Sequence, residues 1–217
     1  WVNVPADCVR PLKKIHLHAA RPAGVNEPTA DGVAGAERIL AIVEDLRPDD
    51  ICLVLISGGG SALLPAPVPD ITRTEKQAVA RLLMHGGATI QELNTVRKQL
   101  SQIKGGGLAR RCGAGRTIGL IISDVIGDPL DIIASGPTVA DSSTAADALA
   151  VLERYAGDSA AVPSSVWMFL RNRADDSVTP SPLKTNVANY VIGNNRAAIA
   201  AAAARAGELG YAVHDLG

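Results

Sequence analysis

Residues 51–61 read ICLVLISGGGS, and this stretch decides the fold. Its first six residues are apolar throughout, which is typical of a parallel β-strand covered on both faces. We therefore expect Ile51–Ile56 to be a central strand of a parallel sheet. The three glycines that follow let the backbone turn sharply and present consecutive N–H groups to an anion. Strand and loop together indicate an α/β domain with an anion-binding turn at a strand end.

Further strands and helices alternate on both sides of this stretch. Apolar runs predict strands at 15–18, 117–122, 187–192 and 211–216. Helical spacing predicts helices at 29–46, 72–85, 89–101, 163–172 and 194–209, and one that ends at Tyr155 and is capped by Asp141 or Ser142. The alanine-rich last helix is expected to pack closely on the sheet. This alternation predicts a three-layer α/β/α Rossmann-like domain with a mostly parallel sheet over residues 1–217.

Composition narrows the class of protein. The 217 residues are 47% hydrophobic and 20% charged, with a net charge of −1, which is ordinary for a globular domain. There is no basic excess of the kind that nucleic-acid binding requires, and no apolar run approaches the length of a membrane span. Three widely spaced cysteines indicate thiols in a reducing compartment. We expect a cytoplasmic protein that binds neither nucleic acid nor membrane.

The loop Ser57-Gly58-Gly59-Gly60-Ser61 is the first candidate site. It is not a Walker A loop, because no Gly-Lys-Ser/Thr follows, and it lacks the third glycine of the dinucleotide fingerprint. The plain alternative is a flexible turn between strand and helix. Three glycines cost conformational entropy on folding, so a simple turn would rarely use them. We therefore expect Ser57, Gly58, Gly59, Gly60 and Ser61 to bind phosphate or another anion.

The second candidate is the segment ELNTVRKQLSQIKGGG at 92–107. On a helix, Asn94, Arg97 and Lys98 are three or four residues apart and can share a face. The alternative is a solvated helix face. The glycines directly after Lys104 favour an edge that faces a ligand. We expect Asn94 and Lys98 to bind substrate or phosphate, and Arg97 and Lys104 to neutralise charge as catalytic residues.

The third candidate, SDVIGDPLDIIASGPT at 123–138, follows the second buried strand. Asp124 falls at the strand end, where an unpaired buried carboxylate would be costly. Asp124 and Asp128 could hold Mg²⁺, or one of them could accept a proton from a substrate hydroxyl. The alternative is that Asp128 only forms a turn or caps a helix. This structural role is favoured more strongly for Asp131. Asp124 is the acidic residue that we place among the catalytic ones.

Together these segments resemble the class II glycerate kinases, the D-glycerate 2-kinases whose larger members carry a C-terminal MOFRL domain. The matching stretches are LISGGGSALLPAP (55–67), GATIQELNTVRKQLSQIKGGGLA (87–109) and LIISDVIGDPLDIIASGPTVADSST (120–144), with a weaker match at IGNNRAA (192–198). Three long motifs in the same order make the resemblance specific. It covers about residues 30–217.

The resemblance implies an activity and a set of partners. Enzymes of this family transfer the γ-phosphoryl group of ATP, with Mg²⁺, to the 2-hydroxyl of D-glycerate, giving 2-phosphoglycerate and ADP. Their site lies in a cleft between a Rossmann-like N-terminal domain and a second domain. We expect D-glycerate and ATP as ligands, and a homodimer is one possible assembly. A non-catalytic module for phosphorylated metabolites is one alternative. Hydroxypyruvate reductase, a label on some relatives, ranks low because the dinucleotide fingerprint is missing.

The chain also departs from the family pattern. Members usually begin with a Gly-Lys-Ala segment whose lysine is held to be catalytic, and nothing like it occurs before residue 30. Residues 20–28 (ARPAGVNEP) replace a Gly-His-Pro-x-Pro-Asp stretch, and the Gly-Gly-Glu and Asp-Gly-Thr-Asp-Gly motifs do not occur. The chain begins at Trp1 without a methionine and ends directly after a strand-like run. We expect an N-terminal domain fragment with little activity by itself.

Overall fold

A computed structural model describes residues 1–156, 161–175, 183 and 186–214. It contains two parallel sheets. The smaller pairs β1 (Val2–Pro5) with β2 (Leu17–Arg21). The larger has the order β3 (Ile51–Ile56), β4 (Arg116–Ile122), β5 (Val187–Gly193). The α/β class and the parallel pairing of strands are thereby confirmed.

The helices lie close to their predicted positions. They are α1 (Ala30–Glu44), α2 (Gly60–Leu63), α3 (Arg73–His85), α4 (Ile90–Gln99), α5 (Gly107–Arg111), α6 (Ala145–Ala156), α7 (Ser164–Asp175) and α8 (Asn195–Glu208). Both α3 and α4 begin with a capping box, in which a threonine and the glutamate three residues later each bind the other's backbone N–H. These caps fix where α3 and α4 begin, and both helices border the site described below.

The predicted central position of β3 is wrong. Within the described residues β3 pairs only with β4, so β4 is the central strand. Every second side chain of β3 is exposed: Ile51 by 63%, Leu53 by 55% and Leu55 by 49%. Cys52 packs against α1 and α5 on the opposite face. An unbroken apolar run therefore formed an edge strand with one open face.

The open face continues across the sheet. The register places Leu53 beside Ile118 and Leu55 beside Leu120, and Leu120 beside Tyr190 of β5. Ile122, Tyr190 and Ile192 are more than half exposed. No residue of α8 is buried, so the expectation that this helix packs closely on the sheet is wrong.

Two hydrophobic clusters meet at the site. One lies between α1, α5 and the covered face of β3 and includes Leu40, Cys52 and Leu108. The other is formed by α3, α4, α6 and α7 around Leu83, Val96 and Leu152. The loop after β3 belongs to the first cluster and α4 to the second. Their junction brings two of the candidate segments into contact.

Three further boundaries differ from the prediction. The N-terminal region forms two strands, β1 and β2, instead of one at 15–18. Residues 211–214 form no strand, and 215–217 lie outside the described residues. Helix α6 begins at Ala145 and its capping residue is Thr144, whose hydroxyl accepts from Asp147 N–H at 3.1 Å; the predicted cap at Asp141 or Ser142 is wrong. None of the helices in the described ranges is long and apolar enough to cross a membrane.

Candidate functional site

The glycine loop turns out of β3 at Gly59, whose φ of +76° suits a residue without a side chain. Gly60 N–H donates to Ser57 O at 3.2 Å, which closes the turn. The N–H groups of Gly58 and Gly59 donate to no described residue. A Cβ on Gly59 would lie 3.1 Å from Nη2 of Arg21. The loop thus offers two open amides beside a guanidinium, which is the arrangement an anion requires.

Ser61 joins the loop to α4. Its Oγ accepts hydrogen bonds from Nζ of Lys104 at 2.7 Å and from Nη2 of Arg97, and lies 3.3 Å from Oγ of Ser135. Ser135 Oγ in turn donates to Oδ1 of the buried Asn94 at 3.3 Å. The structure therefore brings together Ser61, Asn94, Arg97 and Lys104, four of the residues that the sequence singled out.

The ammonium group of Lys104 is fully engaged by protein oxygens. The side chain is buried, and besides Ser61 Oγ its Nζ approaches Ser61 O at 3.2 Å, Ala134 O at 3.4 Å and Ser135 Oγ at 3.4 Å. Three protons are thus shared among four acceptors. Ala134 and Ser135 both have positive φ, at 51° and 61°, a strained conformation for residues with side chains. Lys104 therefore holds this turn against the glycine loop.

A cavity of about 290 Å³ opens beside Ser61, between α3 and α4. Its lining includes Lys76 and Arg73 of α3, neither of which was expected at the site from the sequence. Lys76 Nζ donates to Leu100 O at 2.9 Å. Burial, and then the positive charge of Arg97, lower the pKa of Lys76 to about 7. A lysine that is half neutral near physiological pH marks an unusual environment.

The cavity carries uncompensated positive charge. Burial lowers the pKa of Arg97, and burial together with the charges of Arg97 and Lys76 lowers the pKa of Lys104 well below its usual value. None of the ion pairs in the described part of the chain includes these three residues. The acid on the lining, Glu27, pairs with Arg81 at 3.3 Å. Such a cavity favours a bound anion.

Lys98 does not line this cavity. Its Nζ lies 3.5 Å from Oδ1 of Asp141 and 3.6 Å from Oδ2 of Asp131. The Lys98 and Asp141 side chains are only 9% and 7% exposed. Gln99 Nε2 also donates to Asp141 Oδ2, at 3.2 Å. The charge of Lys98 is therefore matched inside the protein, and this lysine connects α4 to the loop before α6.

Of the two aspartates after β4, Asp124 lies beside the glycine loop at Gly58, and Asp128 lies beside Asn194. Asp124 is exposed, so the buried carboxylate that its position predicted is not observed. A Cβ on Gly58 would lie only 2.5 Å from Oδ2 of Asp124. Asp128 Oδ2 accepts from Nδ2 of Asn194 at 2.6 Å, and hydrogen bonds from Ser123 and Asn194 lower the Asp128 pKa.

These carboxylates fit a Mg²⁺ ion in part. No group of three or more potential metal ligands occurs among the described residues. Mg²⁺, however, commonly uses one or two carboxylates together with the phosphates of its substrate. Asp124 is open to solvent and Asp128 is ionised, so both supply the hard oxygen atoms that this ion prefers.

Four residues of the site were not predicted. Arg73 and Lys76 follow a capping threonine and have the appearance of a solvated first helical turn. Arg21 lies at the end of β2, beyond the strand predicted at 15–18, and Ser135 lies in a quoted motif without a role having been given to it. Arg73 and Lys76 could have been recognised from their i, i+3 spacing, which places two cations on one face of a helix.

Fold and site together define an α/β protein with a cationic cavity at the carboxyl edge of a parallel sheet, the edge at which such sheets bind ligands. Residues 2–171 match the family described as "Domain of unknown function (DUF4147)", and the chain belongs to this family.

The chain is also similar in sequence and structure to several glycerate kinases. Glycerate kinase from Homo sapiens is 52% identical over 186 residues, covering 86% of this chain and 35% of the relative. D-glycerate 2-kinase from Thermotoga maritima is 42% identical over 172 residues, covering 79% and 39%. The crystal structure of the glycerate kinase from Thermotoga maritima superposes with a TM-score of 0.81 at 37% identity, covering 95% of this chain and 47% of that one. The resemblance to glycerate kinases is confirmed, and the chain spans less than half the length of these relatives.

Proposed function

We propose that the complete protein to which this chain belongs is an ATP-dependent D-glycerate 2-kinase, and that residues 1–217 form one wall of its active site. The proposal rests on one observation above all. Ser61, Arg97 and Lys104 form a partly buried cationic cluster, uncompensated by the described acids, inside the motifs that resemble those of the glycerate kinases. Phosphoryl transfer depends mainly on positioning and charge neutralisation, which such a cluster supplies.

The residues divide into binding and positioning roles. The open amides of Gly58 and Gly59, with the serines that flank them, bind phosphate oxygens. Arg97 neutralises charge that develops on the transferred group. Lys104 acts as a positioning residue, because its protons are taken up by Ser61, Ala134 and Ser135.

The two aspartates that follow β4, Asp124 and Asp128, complete the assignment of roles. Asp124 accepts the proton of the 2-hydroxyl or takes part in holding Mg²⁺, and Asp128 is the second carboxylate for that ion. When bound, Mg²⁺ neutralises phosphate charge. Asn194 fixes the Asp128 carboxylate at 2.6 Å, so Asp128 is the more rigid of the two. A homodimer and a cytoplasmic location are part of the proposal.

Turnover by the full-length protein is the test. A coupled ADP-release assay with D-glycerate and Mg²⁺–ATP should show activity that depends on both substrates, with 2-phosphoglycerate as product. Release of ADP without glycerate, or formation of 3-phosphoglycerate alone, would contradict the assignment. Binding of both ligands without turnover would favour a non-catalytic metabolite-binding module, and NAD(P)H-dependent reduction of hydroxypyruvate would favour the reductase.

Two substitutions in the full-length enzyme test the residue roles. Gly59→Val places a β-branched side chain at φ +76° beside Arg21 and should abolish activity while the far-UV circular dichroism is retained. Asp124→Asn should reduce Mg²⁺-dependent turnover at least about 100-fold. Wild-type turnover in either variant would show that the residue has only a structural role. Asp7→Asn, at an exposed position in the first 3₁₀ turn, is the matched control for the second change.

A further inference from the structure

The cavity between α3 and α4 borders the glycine loop at Gly59 and Ser61. Its lining combines Ser61, Arg97 and Lys76 with an apolar surface from Ala62, Pro65 and Leu93. Asp124 and Asp128 do not belong to the lining. At about 290 Å³ the cavity is at the lower end of the range for small-molecule sites, so it suits a ligand of only a few heavy atoms.

Lys76 has hydrogen-bonding capacity to spare. Its ammonium group makes one hydrogen bond among the described residues, to Leu100 O at 2.9 Å, and an ammonium has three protons to donate. Lys104 differs in this respect, since four protein oxygens surround its Nζ. Two donors of Lys76 thus remain for a ligand in the cavity.

The charged groups that face Lys76 are nearly all positive. They are Arg97 and Lys104 across the cavity, Arg73 and Arg81 on α3 itself, and Glu27, which is engaged by Arg81. An anionic ligand relieves the repulsion among these cations. Its binding is then coupled to proton uptake by Lys76, because the charged lysine is the form that the anion stabilises.

We propose that Lys76 and Arg97 bind the carboxylate of D-glycerate in this cavity, leaving the phosphate groups to the amides of Gly58 and Gly59. This inference rests on the proposed kinase function and assigns the two anions of that reaction to neighbouring subsites, which meet at Gly59 on the cavity wall. Asp124, which suits a metal-bound phosphate, lies beside Gly58, and neither Asp124 nor Asp128 lines the cavity. The small, partly apolar cavity suits the short carbon chain of glycerate.

The test uses full-length protein and the substitution Lys76→Met, which keeps the length of the side chain and removes its charge. We expect KM for D-glycerate to rise at least tenfold and KM for ATP to change less than twofold. Lys14→Met, the same change at an exposed position, should leave both constants unaltered. Calorimetry at pH 8 in two buffers of different ionisation enthalpy should show uptake approaching one proton per bound D-glycerate in the wild type and none in Lys76→Met.

The outcomes separate this inference from the kinase assignment. Unchanged D-glycerate affinity in Lys76→Met, or a tenfold loss of affinity for inorganic phosphate instead, overturns the carboxylate subsite even if the protein is a kinase. Calorimetric binding of D-glycerate that depends on Lys76 supports the subsite even if no ADP is released, a result that would contradict only the kinase assignment. Failure of the wild-type protein to bind D-glycerate overturns both.

Discussion

Lys104 Nζ donates a 2.7 Å hydrogen bond to Ser61 Oγ, and through this contact the glycine loop is attached to the strained turn at Ala134 and Ser135. The lysine lies between two segments 43 and 30 residues away along the chain. Because the ammonium replaces several separate donors, its removal leaves buried oxygens unsatisfied.

Lys104→Met should therefore lower the free energy of unfolding by about 1–3 kcal/mol, measured by urea denaturation. A double-mutant cycle with Ser61→Ala should give a coupling energy of about 0.5–3 kcal/mol, as expected for residues in direct contact. Additive effects within the error of the measurement would show that the hydrogen bond contributes nothing to stability.

Gly58 is required for space. A Cβ at this position would meet the carboxylate of Asp124 at 2.5 Å, so Gly58→Ala must displace that side chain. We expect turnover of the full-length enzyme to fall at least about tenfold, since positioning errors of this size are costly in catalysis. Gly207→Ala in α8 is the control, because a Cβ there meets nothing within 4 Å. Full activity of Gly58→Ala would mean that the placement of Asp124 has no role in turnover.

The Lys98–Asp141 ion pair should contribute far more to stability than an exposed pair. Asp141→Ala leaves the buried Lys98 with only Asp131, which is half exposed, and should cost about 3–5 kcal/mol. Arg205→Ala breaks the pair with Glu208, whose side chains are 67% and 65% exposed, and should cost at most about 0.5 kcal/mol. Chemical denaturation of the two variants measures the contrast, and equal losses would argue against burial as its cause.

Lys76 should make stability depend on pH. Its pKa is about 7 in the folded protein and about 10.4 in an unfolded chain, so the unfolded state binds more protons between these values. The free energy of unfolding should therefore rise with pH from about 7 to 10, and below about pH 7, where Lys76 is protonated in both states, this residue should cause no further change. Without ligand, Lys76→Met should be more stable than the wild type below pH 7, by about 1–2 kcal/mol after allowance for partial exposure. If the melting temperatures of the two proteins changed with pH in parallel, the lowered pKa of Lys76 would be contradicted.

The sequence predicted elements well wherever a local cause fixes the structure. The capping boxes at Thr72 and Thr89 set the beginnings of α3 and α4 within one residue of expectation. Apolar runs predicted the positions of β3, β4 and β5, because an apolar run is likewise a local property of the sequence. The position of β3 within the sheet could not be read in this way, because an apolar run does not reveal which neighbours a strand has.

Prediction of the site was limited by contacts between distant segments. The glycine loop and the helix with Arg97 were recognisable, and the structure places them against each other. Lys76 and Arg21 come from segments without a distinctive pattern, so only the tertiary structure brings them to the loop. Asp141 had the local pattern of a helix cap, and its pairing with Lys98, 43 residues earlier, depends on how α4 packs.

The open face of the larger sheet has a practical consequence for handling this chain. Strand β3 presents isoleucine and leucine side chains outward and, within the described residues, an unpaired backbone edge. Such an edge is a template on which another copy can add a strand. Purified without a covering surface, the 217-residue chain should self-associate at high protein concentration, and a lysine in place of Leu53 should keep it monodisperse in light scattering.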